Sequence, residues 1–254
     1  GVSILRSGGE GSKVVVRGLA PKYNRIQIEG VQMASTGGND RSTDLSMISP
    51  YMLEGIEVSK AALPNQEANA LGGSVNFILR SAPKDPKFDM LLQTGYGGLK
   101  KQFGDYKVVL GGSKRFFSDK IGVFAQIDVE NRKRPSYELG VNYTNQTSPN
   151  EQSEVDVSSA NILLNDYDRK ISRLGGVFVL DYKLPNGKIK LSNFTSKIGR
   201  NTDRRFESLR PLERSHEYGY QNDESDLLVM NNSLRVENSF GAVKLTGGLS
   251  YAYS

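Results

Sequence analysis

Apolar and polar residues alternate along much of the chain after residue 88, and this alternation predicts β-strands. Between Ile121 and Glu130 every second residue is apolar, and most of the residues between them are polar or small. The stretches 228–237 and 243–253 repeat the pattern. A period of two sends successive side chains to opposite faces of a strand, so each of these strands should have one mostly apolar face.

We count seven such strands in the second part of the chain. Their predicted ranges are 88–97, 105–117, 121–143, 171–184, 188–201, 225–239 and 242–254. Short turns are predicted at 117–120, 185–188 and 239–242, and longer polar loops at 142–170 and 200–224. Asn186-Gly187 is a strong hairpin signal. Short and long connections alternate along the chain. We therefore expect the short ones at one end of an antiparallel sheet and the long ones at the other.

The first 82 residues follow a different pattern and predict a small α+β unit. Strand candidates lie at 14–16, 25–28, 56–58 and 75–79, and an alanine-rich segment broken by Pro64 lies between the last two. Gly72-Gly73 permits a backbone path that is closed to residues with a Cβ. A polar segment with two prolines predicts a linker at 83–87, so the second unit is 88–254.

The composition excludes several kinds of site. The 254 residues include no cysteine, and His216 is the single histidine, so neither a disulfide framework nor a thiolate or imidazole metal cluster is expected. No Ser-His-Asp or Cys-His arrangement is compelling, and we predict no cofactor and no enzymatic activity. The net charge of +5 comes from scattered basic clusters without a nucleic-acid module, so nucleic acid is not an expected partner.

The chain has no apolar run of the roughly 18 residues that a membrane helix needs. Its mean hydropathy is negative, which ordinarily indicates a soluble protein. A transmembrane strand, however, exposes only every second side chain to lipid. The alternating strands are therefore compatible with a membrane barrel or with a soluble β-sandwich. The regular alternation of short and long connections along the chain favours the barrel.

Five short motifs between residues 15 and 80 resemble the later part of the plug domain of TonB-dependent outer-membrane receptors, in the same order. The motifs are Val16-Arg17-Gly18, Ile28-Glu29-Gly30, Asp44-Leu45-Ser46, the segment 53–60 with sequence LEGIEVSK, and the segment 72–78 with sequence GGSVNFI. The variant Asn69-Ala70-Leu71-Gly72-Gly73 is similar to a plug subgroup that is frequent in Bacteroidota and some Proteobacteria.

The resemblance implies a mainly β fold: a partial transmembrane antiparallel β-barrel with a small α+β plug domain in its lumen. Residues 1–82 would be the C-terminal part of the plug, and residues 88–254 the first strands of a barrel of about twenty-two strands. The implied function is TonB-dependent import of a scarce nutrient, such as a siderophore, cobalamin, a glycan or a peptide, across the bacterial outer membrane. The substrate-binding residues stay unknown at this stage.

The implied partners are TonB, with its inner-membrane motor proteins ExbB and ExbD, and outer-membrane lipid and lipopolysaccharide. A surface lipoprotein that captures substrate is a further candidate. No TonB box is visible near Gly1, the first residues lack the features of a signal peptide, and Tyr253-Ser254 falls inside an alternating stretch. We therefore expect this chain to be a piece of a longer protein.

The resemblance also implies roles for individual residues. Arg17 and Lys60 match two basic plug residues that pair with barrel glutamates, which would lie in strands beyond this chain. Lysine at position 60 replaces the commoner arginine and loses bidentate pairing. The residues matching the structural motif of the plug are Gly18, Gly30, Asp44, Glu54, Glu57, Gly72, Gly73 and Asn76.

Two alternatives stay open on the sequence alone. The first is a soluble β-rich binding or adhesion protein, in which the alternating sheet packs on a second sheet. The second is a hydrolytic outer-membrane barrel, which the lack of a catalytic arrangement disfavours. A barrel should be extracted only with detergent and should run as a heat-modifiable band, whereas a sandwich should dissolve in buffer.

Overall fold

The computed structural model describes residues 1–7, 10–37, 40–59, 71–147, 155–241 and 243–254. These residues form a small N-terminal unit, which ends at Leu79, and one large antiparallel sheet, which we call the wall. The segment 80–86 between them has no regular structure, and it contains most of the predicted linker. The prediction of a mainly β chain is confirmed.

The N-terminal unit contains two small sheets. Strands β1 (Val2–Ser7) and β2 (Glu10–Val16) form an antiparallel hairpin. The second sheet has the order β4-β3-β6-β5, with β3 at Asn24–Ile28, β4 at Val31–Gln32, β5 at Leu53–Ser59 and β6 at Gly73–Leu79. Single 3₁₀ turns lie at Pro21–Tyr23, Leu45–Met47 and Pro50–Met52. The four strand candidates of this unit are thereby confirmed.

Two tight turns explain the Arg-Gly and Glu-Gly pairs of the sequence. Arg17 and Gly18 have φ of 57° and 76°, and Glu29 and Gly30 have φ of 54° and 79°. Positive φ at both central residues is the signature of a type I′ turn, which favours glycine at the second position. The second of these turns joins β3 to β4, and it carries the Glu29 side chain toward the wall.

The wall contains eight strands. They are β7 (Lys87–Gly97), β8 (Gln102–Phe116), β9 (Ile121–Lys133), β10 (Ser136–Thr147), β11 (Val155–Leu184), β12 (Gly187–Arg210), β13 (Ser215–Phe240) and β14 (Val243–Tyr253). The order is β14-β13-β12-β11-β9-β8-β7, and β10 pairs with the part of β11 that extends past β9. Within the described ranges the sheet therefore stays open, with β7 and β14 at its edges.

Two sequence predictions about the wall were wrong. The predicted strand 121–143 is interrupted at Arg134-Pro135, because proline has no N–H to donate to a ladder. The predicted loops 142–170 and 200–224 are mostly strand, since β10–β11 and β12–β13 continue as long hairpins. Most side chains in these two segments are polar, and a mostly polar composition suits a hairpin that projects into water as well as a loop.

The predicted placement of the turns is confirmed. The backbone N–H of Lys183 donates to Lys120 O at 2.8 Å, and that of Ser239 donates to Asn186 O at 2.9 Å, so the three short turns share one end of the wall. We call this end the turn rim, and the opposite end, where the long hairpins project, the hairpin rim. Of the predicted turn 239–242, residue 242 lies outside the described residues.

The two faces of the wall differ as the alternation predicts. On β9, Gln126 and Asp128 are buried and point inward, whereas Val123 is half-buried and Ile127 is 46% exposed on the outer face. On β14, Leu245 and Leu249 lie opposite Asn238 and Leu234 on the outer face, while Lys244 and Thr246 lie opposite Ser239 and Glu237 on the inner face.

The N-terminal unit packs against the inner face of the wall through one shared apolar core. Its most buried members from the unit are Val16, Ile28, Met52 and Leu79, and those from the wall are Phe124, Val179, Phe194, Ile198 and Val229, all less than 2% exposed. Burying one such side chain stabilises a protein by about 1.5–3 kcal/mol. The inner face is thus partly apolar where the unit covers it. Across the described ranges, no helix is long and apolar enough to cross a membrane.

Candidate functional site

Among the described residues, two ion pairs join the N-terminal unit to the wall. Near the turn rim, Lys190 Nζ lies 2.9 Å from Glu29 Oε1, and both side chains are 12% exposed. The same oxygen of Glu29 accepts the backbone N–H of Leu79 at 2.7 Å. Nearer the hairpin rim, Arg200 of β12 pairs with Asp44 of the unit. In both pairs the acid belongs to the unit and the base to the wall.

The carboxylate of Asp44 both caps a 3₁₀ turn and forms an ion pair with the wall. Its Oδ1 accepts the backbone N–H of Ser46 at 2.9 Å and so caps the 3₁₀ turn Leu45–Met47. Its Oδ2 receives Nη2 of Arg200, which also reaches Ser46 Oγ at 3.3 Å. The cap and the ion pair therefore use different oxygens of one carboxylate.

Further hydrogen bonds cross the interface. Ser49 Oγ donates to Asp128 Oδ1 at 2.7 Å, and Asn231 Nδ2 donates to Val31 O at 3.4 Å. Beside the first of these contacts lies a cavity of about 340 Å³, where Lys107, Arg132 and Arg173 surround the buried carboxylate of Glu130. The interface thus combines an apolar core with a charged inner wall.

A larger cavity, of about 530 Å³, lies between the unit and the wall on the side of the hairpin rim. Its charged lining consists of Lys13, Asp44, Glu138, Arg169, Lys170 and Arg200. Arg169 Nη2 donates to Glu138 Oε1 at 3.0 Å, and this hydrogen bond holds the pKa of Glu138 below its ordinary value. We call this space the rim cavity.

Arginine and aromatic side chains stack on the inner wall above the rim cavity. The guanidinium of Arg169 lies 3.9 Å from the ring centre of Tyr167, and that of Arg204 lies 4.7 Å from the ring centre of Phe206. Arg204 Nε also donates to Asn165 Oδ1 at 2.8 Å. Fixed guanidinium groups beside aromatic rings can bind planar or anionic groups of a ligand.

Three of the predicted motif residues meet in one hydrogen-bond network inside the unit. The backbone N–H of Gly30 donates to Asn76 Oδ1 at 2.8 Å, and Asn76 Nδ2 donates to Glu57 Oε2 at 3.0 Å. This network ties the β3–β4 turn to β6 and β5, so these residues hold the turn that presents Glu29 to the wall.

The other predicted residues lie apart. Arg17 and Gly18 form an exposed turn, where the backbone N–H of Arg17 donates to Gly1 O at 2.9 Å, and Glu54 is exposed on β5. The role of Arg17 in pairing with later strands stays a prediction, and Lys60 lies outside the described residues. No group of three or more potential metal ligands occurs in the part of the chain that the structure describes.

Gly72 and Gly73 occupy positions that disfavour a side chain. A Cβ on Gly72 would collide with the amide oxygen of Asn24, whose Nδ2 is held by Val14 O at 2.8 Å. Gly73 has φ of 139°, a conformation that residues with a Cβ rarely adopt.

We expect Gly72→Ala and Gly73→Ala each to lower the free energy of unfolding of the N-terminal unit by more than about 1 kcal/mol. Gly73→Ala should also lower the activity of the protein while the wall still assembles. The matched control is Gly55→Ala on neighbouring β5, where a Cβ meets nothing within 4 Å. Urea titration of the purified variants measures the difference. Equal urea midpoints of unfolding for the three variants would contradict a structural role of Gly72 and Gly73.

The sequence did not identify the wall residues of this interface. Lys190 and Arg200 are positive charges at inward positions of an alternating strand, and that placement was the available signal. It does not reveal the partners, because Glu29 lies 161 positions from Lys190 and Asp44 lies 156 positions from Arg200.

Comparison with known proteins gives one family match. Residues 1–74 match the family model described as the TonB-dependent Receptor Plug Domain. A search of curated proteins finds no match.

Comparison with solved structures finds siderophore and ferric enterobactin receptors and a ferric citrate transporter. They include the siderophore receptor PirA from Acinetobacter baumannii (13% identity, TM-score 0.43, 94% of this chain and 41% of that one). A mutant of the ferric enterobactin receptor PfeA from Pseudomonas aeruginosa has 12% identity and a TM-score of 0.45, over 99% and 45% of the two chains. The ferric citrate transporter FecA has 12% identity and a TM-score of 0.35, over 99% and 52%. The chain thus spans about half, or less, of the length of these structures.

Proposed function

We propose that this chain, which carries the plug domain of a TonB-dependent receptor and belongs to the bacterial outer membrane, serves the active import of a scarce nutrient across that membrane. The family match of residues 1–74 is the observation that carries this proposal. The N-terminal unit is accordingly called the plug below.

The packing of the plug supports the same function. The plug covers the inner face of the wall, and two ion pairs and a shared apolar core hold it there. The outer face carries exposed apolar side chains, among them Ile127, Leu174 and Leu249. A sheet with lipid on one side and a plug on the other suits a barrel whose lumen is closed until import begins.

We propose that strands outside this chain complete the barrel. Bacterial single-chain barrels have an even number of strands, and the seven consecutive positions of the wall leave two unpaired edges within the described ranges. TonB, driven by ExbB and ExbD, would supply the energy for moving the plug, and outer-membrane lipid and lipopolysaccharide would surround the wall. A siderophore, cobalamin, a glycan and a peptide are all candidate substrates.

Growth on single nutrient sources tests the proposed import. Strains with and without the gene for this protein are grown on ferric siderophores, cobalamin, glycans or peptides as the limiting nutrient, each with TonB present or deleted. We expect one source to support growth only when both the gene and TonB are present. Growth that depends on the gene but is unaffected by loss of TonB would contradict the proposal.

Extraction tests the competing function, a soluble β-rich binding or adhesion protein. A barrel needs detergent for extraction and changes its mobility on heating in gel electrophoresis, because an unheated barrel stays folded in the detergent. Release of the folded protein into buffer would favour the soluble alternative.

A further inference from the structure

The apolar band on the outer face of the wall ends well below the tips of the long hairpins. On β11 this band reaches from the turn rim to Leu174, which lies opposite Val129. The next three outward positions of β11, and the positions opposite them on β12 and β13, carry no apolar side chain. They are Ser172, Lys170, Asp168, Gly199, Asn201, Asp203, Asp226, Glu224 and Asn222. We call them the polar belt, and its charged side chains place it outside the hydrocarbon layer.

Apolar and aromatic side chains return on the outer face above the polar belt. Leu139 lies opposite Leu164, and Leu164 is ten residues from Leu174 along β11. At about 3.3 Å per residue and a strand tilt of about 45°, this places it roughly 23 Å nearer the hairpin rim. Leu139, Tyr137 and Tyr218 are 67%, 61% and 72% exposed. Because the belt separates this patch from lipid, its exposed apolar surface indicates a binding surface for something else.

The patch forms an open groove of about 430 Å³ on the outer face, which we call the side groove. Leu139 and Leu164 form its floor. Tyr137 on β10 and Tyr218 on β13 stand at its two ends, three strand spacings or roughly 15 Å apart. The side groove opens away from the lumen, so a ligand held there is not on the import path.

Neighbouring side chains hold both tyrosine rings in place. At the β10 end, Lys100 Nζ lies 2.6 Å from Asp166 Oδ1 and 5.1 Å from the centre of the tyrosine ring. At the β13 end, His216 Nε2 lies 2.6 Å from Glu207 Oε1, and the two ring centres are 4.4 Å apart. Each ring therefore contacts a side chain that a carboxylate fixes, and the groove is formed before a ligand arrives.

The chemistry of the side groove fits a neutral saccharide. The positive charges of Lys100 and Arg205 balance the carboxylates of Asp166 and Glu207, so the groove favours neither an anion nor a cation. Arg205 is 66% exposed and offers guanidinium donors to ligand hydroxyls, which can themselves donate to the carboxylates. The C–H faces of sugar rings can stack on the two tyrosines. An apolar lining with a few polar groups is typical of small-ligand sites.

The size of the patch argues against a protein partner. Above the polar belt, the patch spans three outward positions on each of the four strands β10 to β13. A stable protein–protein interface uses about 20–30 residues on each side. The volume of the side groove, in contrast, lies within the range of about 300–1,000 Å³ that small-ligand sites occupy.

We propose that the side groove binds a neutral segment of the saccharide of the lipopolysaccharide that surrounds the barrel. The groove opens sideways, so the strands that complete the barrel, which lie across the lumen, do not cover it. Beside an outer-membrane barrel, the space just above the acyl chains is occupied by lipopolysaccharide sugars. Their binding ties the two long hairpins to the membrane surface. This inference rests on the barrel arrangement of the proposed function.

Saturation-transfer NMR on the whole protein in detergent micelles tests the side groove. The first probe is the lipid-free oligosaccharide that mild acid releases from the lipopolysaccharide of the producing strain. The second is maltohexaose, a neutral glycan of a different source. We expect saturation to reach mainly the neutral sugars of the first probe. Tyr137→Ala and Tyr218→Ala should each weaken its binding at least about fivefold, because each removes a stacking ring.

Two further variants separate ring stacking from general effects of substitution. Tyr218→Phe keeps the ring and should bind the oligosaccharide as the unaltered protein does. The matched control is Tyr251→Ala, since Tyr251 is 62% exposed on the outer face of β14, on the turn-rim side of the polar belt. Its affinity should be unchanged. The heat-modifiable band shows that each variant has folded.

Four results would overturn the inference. They are no saturation of the lipopolysaccharide oligosaccharide, equal binding by Tyr137→Ala, Tyr218→Ala and the unaltered protein, maltohexaose binding as tight as that of the first probe, and sedimentation as pairs that Tyr218→Ala separates. The third result would make the ligand a free glycan, and the fourth a second copy of the chain. All four leave TonB-dependent growth untouched. Growth without need of TonB would instead contradict import and leave saccharide binding standing.

Discussion

Glu29→Gln should lower the free energy of unfolding of the plug by about 3–5 kcal/mol, because it leaves the ammonium of Lys190 buried without its partner. A carboxylate also lies opposite Lys190 in the neighbouring strand, at Asp181. Both carboxylate oxygens of Asp181 are already bound to Arg115, at 2.5 and 3.2 Å. Urea titration of the detergent-solubilised protein, followed by protease sensitivity of the plug, measures the loss.

The control for this prediction is Asp226→Asn, which breaks the exposed pair between Lys197 and Asp226. Both of these side chains are more than half exposed, so the loss should be under about 1 kcal/mol. If Glu29→Gln were no more damaging than Asp226→Asn, the buried pair would not be a link that holds the plug.

Ile127→Arg should strongly reduce assembly of the barrel. Ile127 lies on the outer face in the middle part of β9, and an arginine at the bilayer midplane of a barrel costs about 2–4 kcal/mol. The yield of the heat-modifiable band after expression in the outer membrane measures assembly.

Leu139→Arg is the matched control, since Leu139 is an outer-face residue of β10 that is 67% exposed. At about 3.3 Å per residue and a strand tilt of about 45°, Leu139 lies roughly 28 Å nearer the hairpin rim than Ile127, outside the hydrocarbon layer. Leu139→Arg should assemble normally. Equal yields of the two variants would show that lipid does not cover the outer face at Ile127.

Local patterns were sufficient to predict several parts of the fold. The alternation on β9 separated Gln126 and Asp128 from Val123 and Ile127, because a period of two follows from strand geometry alone. The position of the tight reversal at 185–188 was predicted, but from the wrong pair of residues. Leu184 pairs with Gly187, so the two-residue loop is Pro185-Asn186, and neither Asn186 nor Gly187 has the positive φ of an Asn-Gly turn.

The remaining features depend on distant parts of the chain. The sequence did not reveal that the plug would cover Phe124 and Phe194. The alternation pattern of a strand is the same whether its inward aromatic residues face a plug or a water-filled lumen. Nor did it reveal the two ion pairs, whose partners meet only after the plug and wall have folded against each other. The long hairpins were missed because strands that project into water need no apolar face.

The most direct test of the account measures which face of the wall contacts lipid. The chain has no cysteine, so a nitroxide label can be attached at Ile127→Cys, Gln126→Cys or Leu139→Cys in turn, and its collisions with oxygen and with a water-soluble nickel chelate can be compared in proteoliposomes. We expect the label at 127 to collide with oxygen far more than with the nickel chelate, the label at 139 to show the opposite preference, and the label at 126 to be shielded from both. A label at 127 that meets the nickel chelate as freely as the one at 139 would contradict a lipid-facing wall.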